Sequence, residues 1–566
     1  MRNYKLKEFH EELIFLIGKE NVITDQKRIR LYSKGIRIGQ GSAAVVAIPK
    51  NLIDFWHILE LSITFDKVII IQAANTGLTG GSTPDGNDYD RDVIIISTLL
   101  LNQLIIANKG NQVIAFPGTT LYQLEDQLLP FSRGPHSVIG SSCIGASVIG
   151  GICNNSGGNL VKRGPAYTEL SLFARVGNNG KLELVNHLDI DLGNDPVEIL
   201  SNLESSNFDK VNLQKSNKYA SDCEYHQRIR DVASDTPSRF NSDQRRLYES
   251  SGSAGKIAVF AVRLDTFPLP QKEQVFFVGT NDPKRLTQLR KNILIESKTL
   301  PDMGEYMHKS YFEASLKYCK DTFLFIKFLG TKFLPKLIRA KRIIDDLLQQ
   351  IFFLPNGFAD IILQFIASLF PLHLSSEIIK LSNRYEHYMI FLASDSSIEP
   401  LKSILESQVS LDVGFEYIEC DDIDGKDLLL HRFVAGAAPA RFSVLNNDKS
   451  NQLLPLDIAL PRNCDSWHEI LPFEVLSKME KTFQMGHFLC MVFHWDFVVK
   501  KNIDVEKLKD QILQILDENK AKYPAEHNVG HLYKAEQTHK DFFRSLDPTN
   551  TFNPGLGKDS KNKNYK

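Results

Sequence analysis

The chain has 566 residues, which is long enough for two or three domains, each with its own core. Its formal net charge of -2 argues against a nucleic-acid-binding protein, whose surface would carry a clear basic excess. The seven cysteines are odd in number and include no Cys-x-x-Cys pair, so we expect neither a disulfide framework nor a zinc knuckle.

Two observations concern the location of the protein in the cell. Residues 1–8 lack the apolar core of a signal peptide and resemble the start of an amphipathic helix, so we expect the protein to remain in the reducing cytosol. Residues 137–160 are uncharged but rich in Gly, Ser and Asn, and residues 361–374 are fewer than the ~20 apolar residues that a spanning helix needs. We therefore expect no membrane-spanning segment.

The N-terminal part, to about residue 185, alternates predicted helices with short β-branched runs. Leu52–Thr64 is predicted to be helical, and residues 68–71, 93–96 and 113–116 are predicted strands. This alternation is typical of an α+β layer. A polar stretch then precedes a predicted strand at residues 256–262, and we place the end of the first domain near residue 268.

Two glycine-rich turns stand out in this first part. Residues 72–82 follow a buried apolar strand, and residues 140–158 repeat the pattern of small side chains and hydroxyls. Glycine lets successive backbone N–H groups converge on an anion, which suits a pyrophosphate or a flavin. Neither turn has the spacing of a P-loop or of a Gly-x-Gly-x-x-Gly motif, and each could instead be a plain tight connection.

The turn at residues 75–82 and the segment at residues 149–158 resemble the FAD-binding domain of the vanillyl-alcohol-oxidase type. Residues 86–93, 143–158 and 547–555 further resemble the family of bacterial quinone-dependent D-lactate dehydrogenases, a likeness that is weakest between about residues 323 and 376. It implies an α+β fold with a two-subdomain FAD-binding domain, an α+β cap and a helical membrane-docking segment. The implied domains are residues 1–268 completed by about 520–566, a cap at 269–315 and about 376–519, and a docking segment at 316–375.

The resemblance also implies a non-covalently bound FAD, because no attachment residue is evident. It would lie against the two turns and one strand. The residues implied are Ala73, Ala74, Asn75, Thr76, Gly77, Gly81, Ser82, Gly140, Ser147, Gly150, Gly157 and Val259.

Beyond residue 268, the chain contains predicted strands at residues 275–279 and 388–392. Helices are predicted at Pro283–Glu296, at residues 397–408 and at residues 504–520. After the last of these, Glu526-His527-Asn528 resembles the Glu-His-Gly-x-Gly motif of flavin-dependent 2-hydroxyacid dehydrogenases, with Asn528 in place of a glycine. Oxidation of a 2-hydroxy acid requires a base for the hydroxyl proton, and His527 is the candidate. The alternative is a solvated surface pair of His527 and Glu526.

His487 and His494 have the separation of two metal-ligand histidines in that family, in which Glu526 would be the third ligand. Such a set describes a divalent site, usually zinc. Here, however, the family's polar turn is replaced by the apolar residues 488–493. If these continued a strand, residues seven apart would point to opposite faces, so one core and one surface histidine is the alternative.

A small carboxylate substrate is best held by an arginine. Arg432 lies where the family has its substrate arginine, and Arg441 and Arg462 are further candidates. Each could equally be a structural ion-pair partner.

Residues 316–342 combine many basic residues with many apolar ones. The basic residues are Lys317, Lys320, Lys327, Lys332, Lys336, Arg339, Lys341 and Arg342. Basic and aromatic residues on short helices suit an anionic membrane surface, whereas a core helix with a solvated basic face is the alternative.

Together these features predict an enzyme bound peripherally to the cytoplasmic face of the bacterial inner membrane. It would oxidise D-lactate to pyruvate with FAD and pass the electrons to a membrane quinone. Its partners would be D-lactate, the quinone and an anionic phospholipid surface, with no nucleic acid. One alternative is a related dehydrogenase that acts on glycolate or D-2-hydroxyglutarate. Another is a flavin-containing docking protein that has lost catalysis.

Overall fold

The computed structural model describes residues 2–135, 145–334, 337, 340–341, 344, 358–411, 414–446 and 450–566. The α-helices there are Arg2–Ile17, Gln26–Ser33, Leu52–Thr64, Leu121–Leu128, Val148–Cys153, Pro196–Glu204, Tyr225–Arg228, Pro283–Glu296, Lys309–Tyr318, Lys320–Leu329, Phe358–Ser368, Ser376–Arg384, Ile398–Leu411, Asp422–Val434, Ala438–Leu445, Phe473–Leu476, Val505–Glu518 and Gln537–Leu546.

The strands, in chain order, are β1 (Val22–Ile23), β2 (Val45–Ala47), β3 (Val68–Gln72), β4 (Val93–Ser97), β5 (Leu104–Ala107), β6 (Gln112–Ala115), β7 (Arg133–Gly134), β8 (Ser171–Val176), β9 (Leu182–Asn186), β10 (Ala258–Asp265), β11 (Phe267–Pro268), β12 (Glu273–Thr280), β13 (Met303–His308), β14 (His387–Ser394), β15 (Phe415–Glu419), β16 (Ser450–Ala459), β17 (Met479–His487) and β18 (Val492–Lys500).

In the part of the chain that the structure describes, these strands form three larger sheets and one two-stranded ribbon. The N-terminal sheet has the order β1-β2-β4-β3, and β4 lies parallel to both β2 and β3. The middle sheet, β5-β6-β10-β8-β9, is antiparallel. The large sheet, β15-β12-β14-β13-β17-β18-β16, is also antiparallel.

The N-terminal and middle sheets share one apolar core. All residues of β4 are buried, as expected for a strand covered on both faces. The helix Leu52–Thr64 begins at Asn51, whose side chain accepts a hydrogen bond from the Asp54 N–H at 2.7 Å. Phe55 of this helix contacts Phe260 of β10, with ring centroids 4.6 Å apart, and so connects the two sheets.

The large sheet separates two further cores, because successive side chains of a strand point to opposite faces. Phe276 of β12 packs into one core beside the helices Pro283–Glu296 and Ile398–Leu411. Phe277, the next residue, packs into the other core beside Lys309–Tyr318 and Asp422–Val434. This sheet therefore has helices on both faces.

The C-terminal residues return to the N-terminal sheet. The Ile69 N–H donates to the Thr551 carbonyl at 2.9 Å, and the Asn553 N–H donates to the Ile69 carbonyl at 2.9 Å. The buried Lys256 ammonium donates to Asn550 Oδ1 at 2.8 Å. The segment before them, residues 522–526, instead lies along β16, so the C-terminal part of the chain joins the large sheet to the N-terminal one.

Most predicted elements are found close to their predicted bounds. The helices Leu52–Thr64 and Pro283–Glu296 are confirmed, whereas the strand predicted at residues 256–262 is β10, which begins two residues later. Lys256 belongs to the preceding turn, where its N–H donates to the Ser253 carbonyl at 2.9 Å and Gly252 and Gly255 have positive φ. No helix among the described residues is both long and apolar enough to cross a bilayer.

Candidate active site

The two histidines predicted as metal ligands lie on one β-hairpin. The apolar residues between them form a tight turn, Phe488–Cys490, and Met491 follows at φ 57°. His487 is therefore paired with Val492 and His494 with Met485, so both imidazoles lie on the same face of the sheet. The alternative that the sequence left open, a continuous strand with one core and one surface histidine, is not the arrangement found. Phe488 and Cys490 are apolar because they are buried in the core beneath the turn.

Two acidic side chains from neighbouring strands join the histidines on this face. Glu305 of β13 is paired with His487, and Asp457 of β16 is paired with His494. Glu305 Oε1 lies 2.7 Å from His487 Nδ1, and Asp457 Oδ1 lies 3.4 Å from His494 Nδ1. A carboxylate thus lies on the Nδ1 side of each imidazole, at hydrogen-bond distance for His487, and the Nε2 of each ring faces the other histidine.

Glu526 reaches the same place from the C-terminal segment. Ala459 and Lys522 exchange backbone hydrogen bonds of 2.8 Å in both directions, and the Glu526 N–H donates to Asp457 Oδ2 at 2.8 Å. The Glu526 carboxylate consequently lies over the hairpin, with Oε2 3.3 Å from His487 Nε2. The structure gives no support to a solvated surface position, since Glu526 is buried.

A buried arginine neutralises Glu526. Arg239 donates from one Nη to Glu526 Oε1 and to the Gly158 carbonyl, and its side chain is only 2% exposed. Burial by itself raises the pKa of Glu526, but Arg239, followed by His487, lowers it more, and the net pKa lies well below the usual value. The carboxylate is therefore ionised.

The charges around His487 also change its pKa. Burial lowers that pKa, but the carboxylates of Glu305 and Glu526 more than offset this and raise it to about 10. In the metal-free protein His487 is thus an imidazolium between two carboxylates. A bound cation could take the place of the Nε2 proton.

The three predicted metal ligands have the spacing of a coordination site. His487 Nε2 and His494 Nε2 are 3.4 Å apart, and Glu526 Oε2 is 3.3 and 3.9 Å from them. Ligand atoms on a tetrahedral zinc ion stand roughly 3.3 Å apart. The set of two imidazoles and one carboxylate therefore fits a divalent metal, and the carboxylates on both Nδ1 atoms are the partners that metal-bound histidines usually have.

His527, the predicted base, lies beside this cluster. Its Nε2 is 3.8 Å from Asp457 Oδ2, and 37% of its side chain is exposed, so a substrate can reach it. The next residue, Asn528, is buried and accepts a hydrogen bond from the Gly530 N–H at 2.8 Å. A methyl group on Gly81 would lie 2.5 Å from Asn528 Nδ2, so Gly81 makes room for this departure from the family motif.

Of the three candidate arginines, only Arg432 joins the site. It lies in the last turn of the helix Asp422–Val434, and one of its Nη atoms is 2.7 Å from Glu305 Oε2. Its Nε is buried and has no acceptor in the part of the chain that the structure describes. Arg441 instead pairs with Asp321, and Arg462 donates to the carbonyls of a loop, so both have structural roles.

The first predicted cofactor turn is held in shape by its own side chains. Ser82 Oγ donates to Asn75 Oδ1 at 2.8 Å, and Asn75 has φ 50°. Ala73, Ala74 and Thr76 are half-buried. A methyl group on Gly77 would meet nothing within 4 Å, so this part of the turn is open to a ligand.

The second turn is described only from Gly145, so Gly140 lies outside the described residues. Ser147 begins the helix Val148–Cys153 and accepts a hydrogen bond from the Gly150 N–H at 3.1 Å. A methyl group on Gly157 would collide with Glu526 Oε1, which gives this glycine a packing role. Val259 is buried in β10, where the pairing with β8 shifts register.

Several buried polar atoms near the second turn have no hydrogen-bond partner among the described residues. They are Ser250 Oγ, Asn155 Oδ1 and Asn553 Oδ1. Asn553 Nδ2 donates to the carbonyl of Gly81 in the first turn and to that of Ala254 in the loop before β10. Unsatisfied polar atoms around an open turn fit a polar cofactor such as FAD.

An exposed apolar surface lies within residues 316–375. Apolar side chains of the helix Phe358–Ser368 and its continuation are exposed at helical spacing, with Phe365 at 66% and Leu369 at 70%. Phe328 and Leu329 add to it at 76% and 56%. We call these four residues and Ile361, Ile362, Ile366 and Leu372 the apolar docking face. Eight exposed apolar side chains in one segment differ from hydrophobic residues that are scattered singly over a surface.

Three of the basic residues that were predicted to face an anionic membrane surface are instead paired or buried. Lys327 pairs with Asp427 at 2.6 Å, Lys341 pairs with Asp360 at 3.0 Å, and Lys320 is buried, with its ammonium donating to the Phe370 carbonyl. Lys336, Arg339 and Arg342, and the side chain of Lys332, lie outside the described residues. Lys320 and Lys341 thus make contacts within the segment, whereas Lys327 connects it to the helix Asp422–Val434.

Three site residues were missed by the sequence reasoning: Arg239, Glu305 and Asp457. For the two acids a signal exists, because each is the only carboxylate of its strand. Arg239 belongs to a polar loop and carries no such signal.

Comparisons with known proteins cover the whole chain. The family model described as "D-lactate dehydrogenase, membrane binding" matches residues 275–565. The chain is 49% identical to the quinone-dependent D-lactate dehydrogenase of Escherichia coli (strain K12), over 99% of this chain and 98% of that one. It is 45% identical to the enzyme of the same name from Haemophilus influenzae, over 99% of both chains.

The fold has solved counterparts. p-Cresol methylhydroxylase superposes with a TM-score of 0.59 at 11% identity, over 98% of this chain and 97% of that one. Alkyldihydroxyacetonephosphate synthase superposes with a TM-score of 0.58 at 12% identity, over 97% and 84%. The predicted α+β fold of the vanillyl-alcohol-oxidase type is confirmed.

Proposed function

The chain belongs to the family of quinone-dependent D-lactate dehydrogenases, and we propose that it oxidises D-lactate to pyruvate and delivers the electrons to a membrane quinone. The observation that carries this proposal is full-length similarity to two enzymes of that name. The buried charged cluster around Glu526 supplies the chemistry that such a reaction needs.

We assign His527 as the base that accepts the proton of the substrate hydroxyl. Its side chain is 37% exposed and therefore accessible to a substrate, and the Asp457 carboxylate lies 3.8 Å from its Nε2. The substrate carboxylate would bind Arg432, whose buried Nε–H has no acceptor within the described protein. The two residues thus address the two polar groups of a 2-hydroxy acid, its hydroxyl and its carboxylate.

The cofactor would be FAD, held without a covalent bond along the two glycine-rich turns. When bound, FAD accepts the hydride from the substrate Cα. Ser250, Asn155 and Asn553 offer buried polar atoms to it, and Gly77 leaves room for it. The fold of the vanillyl-alcohol-oxidase type supports a flavin cofactor.

A divalent metal, zinc by its ligand set, would bind His487, His494 and Glu526. When bound, it supplies a Lewis acid for the substrate hydroxyl. The spacing of the three ligand atoms and the carboxylates behind both imidazoles support this assignment.

The apolar docking face would bind the cytoplasmic leaflet of the bacterial inner membrane. Phe365 and Leu369 would insert among the acyl chains, and basic residues of the same segment, such as the exposed Lys317, would meet anionic headgroups. Salt should therefore weaken the attachment only in part, because screening acts on the headgroup contacts and not on inserted side chains.

Purified protein tests the proposal directly. It should carry FAD that acid precipitation releases, and it should reduce a short-chain quinone with D-lactate as donor. A colourless protein that takes up no FAD would contradict the proposal. Faster turnover with glycolate or D-2-hydroxyglutarate would favour the alternative substrate class.

A further inference from the structure

Glu305 lies at the centre of the charged cluster, and both of its oxygens are committed. Oε1 is 2.7 Å from His487 Nδ1, and Oε2 is 2.7 Å from an Nη of Arg432. The side chain is 3% exposed and projects from the middle of β13, directly opposite His487 in the sheet. Glu305 therefore connects the helix that carries Arg432 to the hairpin that carries His487.

The contact with Nδ1 determines which ring nitrogen of His487 is available. A carboxylate only accepts hydrogen bonds, so the hydrogen of a neutral His487 must be on Nδ1. The lone pair is then on Nε2, the nitrogen that faces His494 and Glu526. A neutral His487 held by Glu305 is thus ready to bind a cation through Nε2.

We propose that Glu305 is a positioning residue that holds His487 in the Nδ1–H tautomer for metal binding and, through its second oxygen, holds Arg432 beside the same site. This inference rests on the proposed metal site. It adds that the substrate arginine and a metal-ligand histidine are fixed by one carboxylate. Removing that carboxylate changes the metal site through the histidine ring, without removing any ligand.

Glu305→Gln separates the two roles because an amide has only one acceptor oxygen. The charged Arg432 is the stronger donor, so we expect the amide oxygen to face Arg432 and the NH2 group to face His487. His487 Nδ1 must then accept, and the ring hydrogen moves to Nε2, where it blocks a metal. Loss of such a supporting partner typically weakens metal binding by about 10–100-fold.

The experiment uses the FAD-containing enzyme after removal of metal with a chelator. Zinc is titrated back in competition with a chromophoric chelator, for the wild type, Glu305→Gln and Glu313→Gln. Glu313 is an exposed carboxylate on the helix Lys309–Tyr318 and serves as the matched control. Flavin absorbance and the thermal melting temperature establish that each variant is folded.

We expect Glu305→Gln to bind zinc about 10–100-fold more weakly than the wild type, and Glu313→Gln to bind as the wild type does. Wild-type affinity in Glu305→Gln would overturn the inference and leave the metal site standing. A wild type that binds no zinc would overturn the metal site itself, and the inference with it. If Glu305→Gln does not fold, 15N NMR of histidine-labelled, zinc-loaded wild type decides: the His487 hydrogen on Nδ1 supports the inference, and on Nε2 overturns it.

Discussion

Replacement of Arg239 by Met should destabilise the protein strongly, because it leaves the buried Glu526 carboxylate without its main counter-charge. The two side chains are 2% and 8% exposed, so solvent cannot substitute for the lost partner. Breaking a buried ion pair in this way costs about 3–5 kcal/mol. His487 remains 3.3 Å from Glu526 and supplies a second positive charge, which places the expected loss near the lower end, about 3 kcal/mol.

The matched control is Arg384→Met. Arg384 pairs with Glu416, but these side chains are 54% and 37% exposed, and such a pair contributes at most ~1 kcal/mol. Urea unfolding followed by flavin and tryptophan fluorescence gives the midpoint and slope for each variant. The double variant Arg239→Met/Glu526→Gln removes both charges and should recover part of the loss.

An Arg239→Met variant no less stable than Arg384→Met would refute this reasoning. The reasoning would also be refuted if the double variant were less stable than Arg239→Met by as much as Glu526→Gln costs in the wild type, because the two changes would then be independent. Either result would mean that Arg239 does not neutralise Glu526 in solution.

Three further changes test the site and the docking face. His527→Ala should keep the flavin spectrum but slow flavin reduction by D-lactate about 10²–10⁴-fold, the range for loss of a general base, and near-normal stopped-flow bleaching would remove His527 from the mechanism. His494→Asn should lower the bound metal, measured by elemental analysis, well below one equivalent; metal-free wild type with full activity would instead favour structural roles for both histidines. Replacing Phe365 and Leu369 by Asn should reduce flotation with anionic liposomes while dye-linked D-lactate oxidation is unchanged, and flotation equal to that of the wild type would place the anchor elsewhere.

Local signals in the sequence predicted many of the helices and strands. The helix Pro283–Glu296 was predictable because aspartate followed by proline is a typical start of a helix. In the structure Asp282 accepts a hydrogen bond from the first turn, and Pro283 is the first helical residue. The turn at Phe488–Cys490 was not predictable, because its side chains are apolar in order to fill the core. Apolarity there reflects burial, and an apolar run of this kind is compatible with either a continuous strand or a reversal of the chain.

The site itself was only half predictable. His487, His494 and Glu526 match the metal-ligand positions of the family that the sequence resembles, and the structure brings them together. Glu305 and Asp457 approach them only because the large sheet places β13, β17, β18 and β16 side by side, an order that joins distant parts of the chain. Pairing of this kind depends on the whole fold, so no local pattern reveals it.

Anaerobic stopped-flow mixing of the oxidised enzyme with single substrates tests the central claim most directly. The absorbance of oxidised flavin is followed after mixing with D-lactate, L-lactate, glycolate or D-2-hydroxyglutarate, with no acceptor present. We predict that D-lactate bleaches the flavin fastest and that L-lactate is a poor reductant. A flavin that D-lactate leaves oxidised, or that another of these acids reduces faster, would contradict the assignment as a D-lactate dehydrogenase.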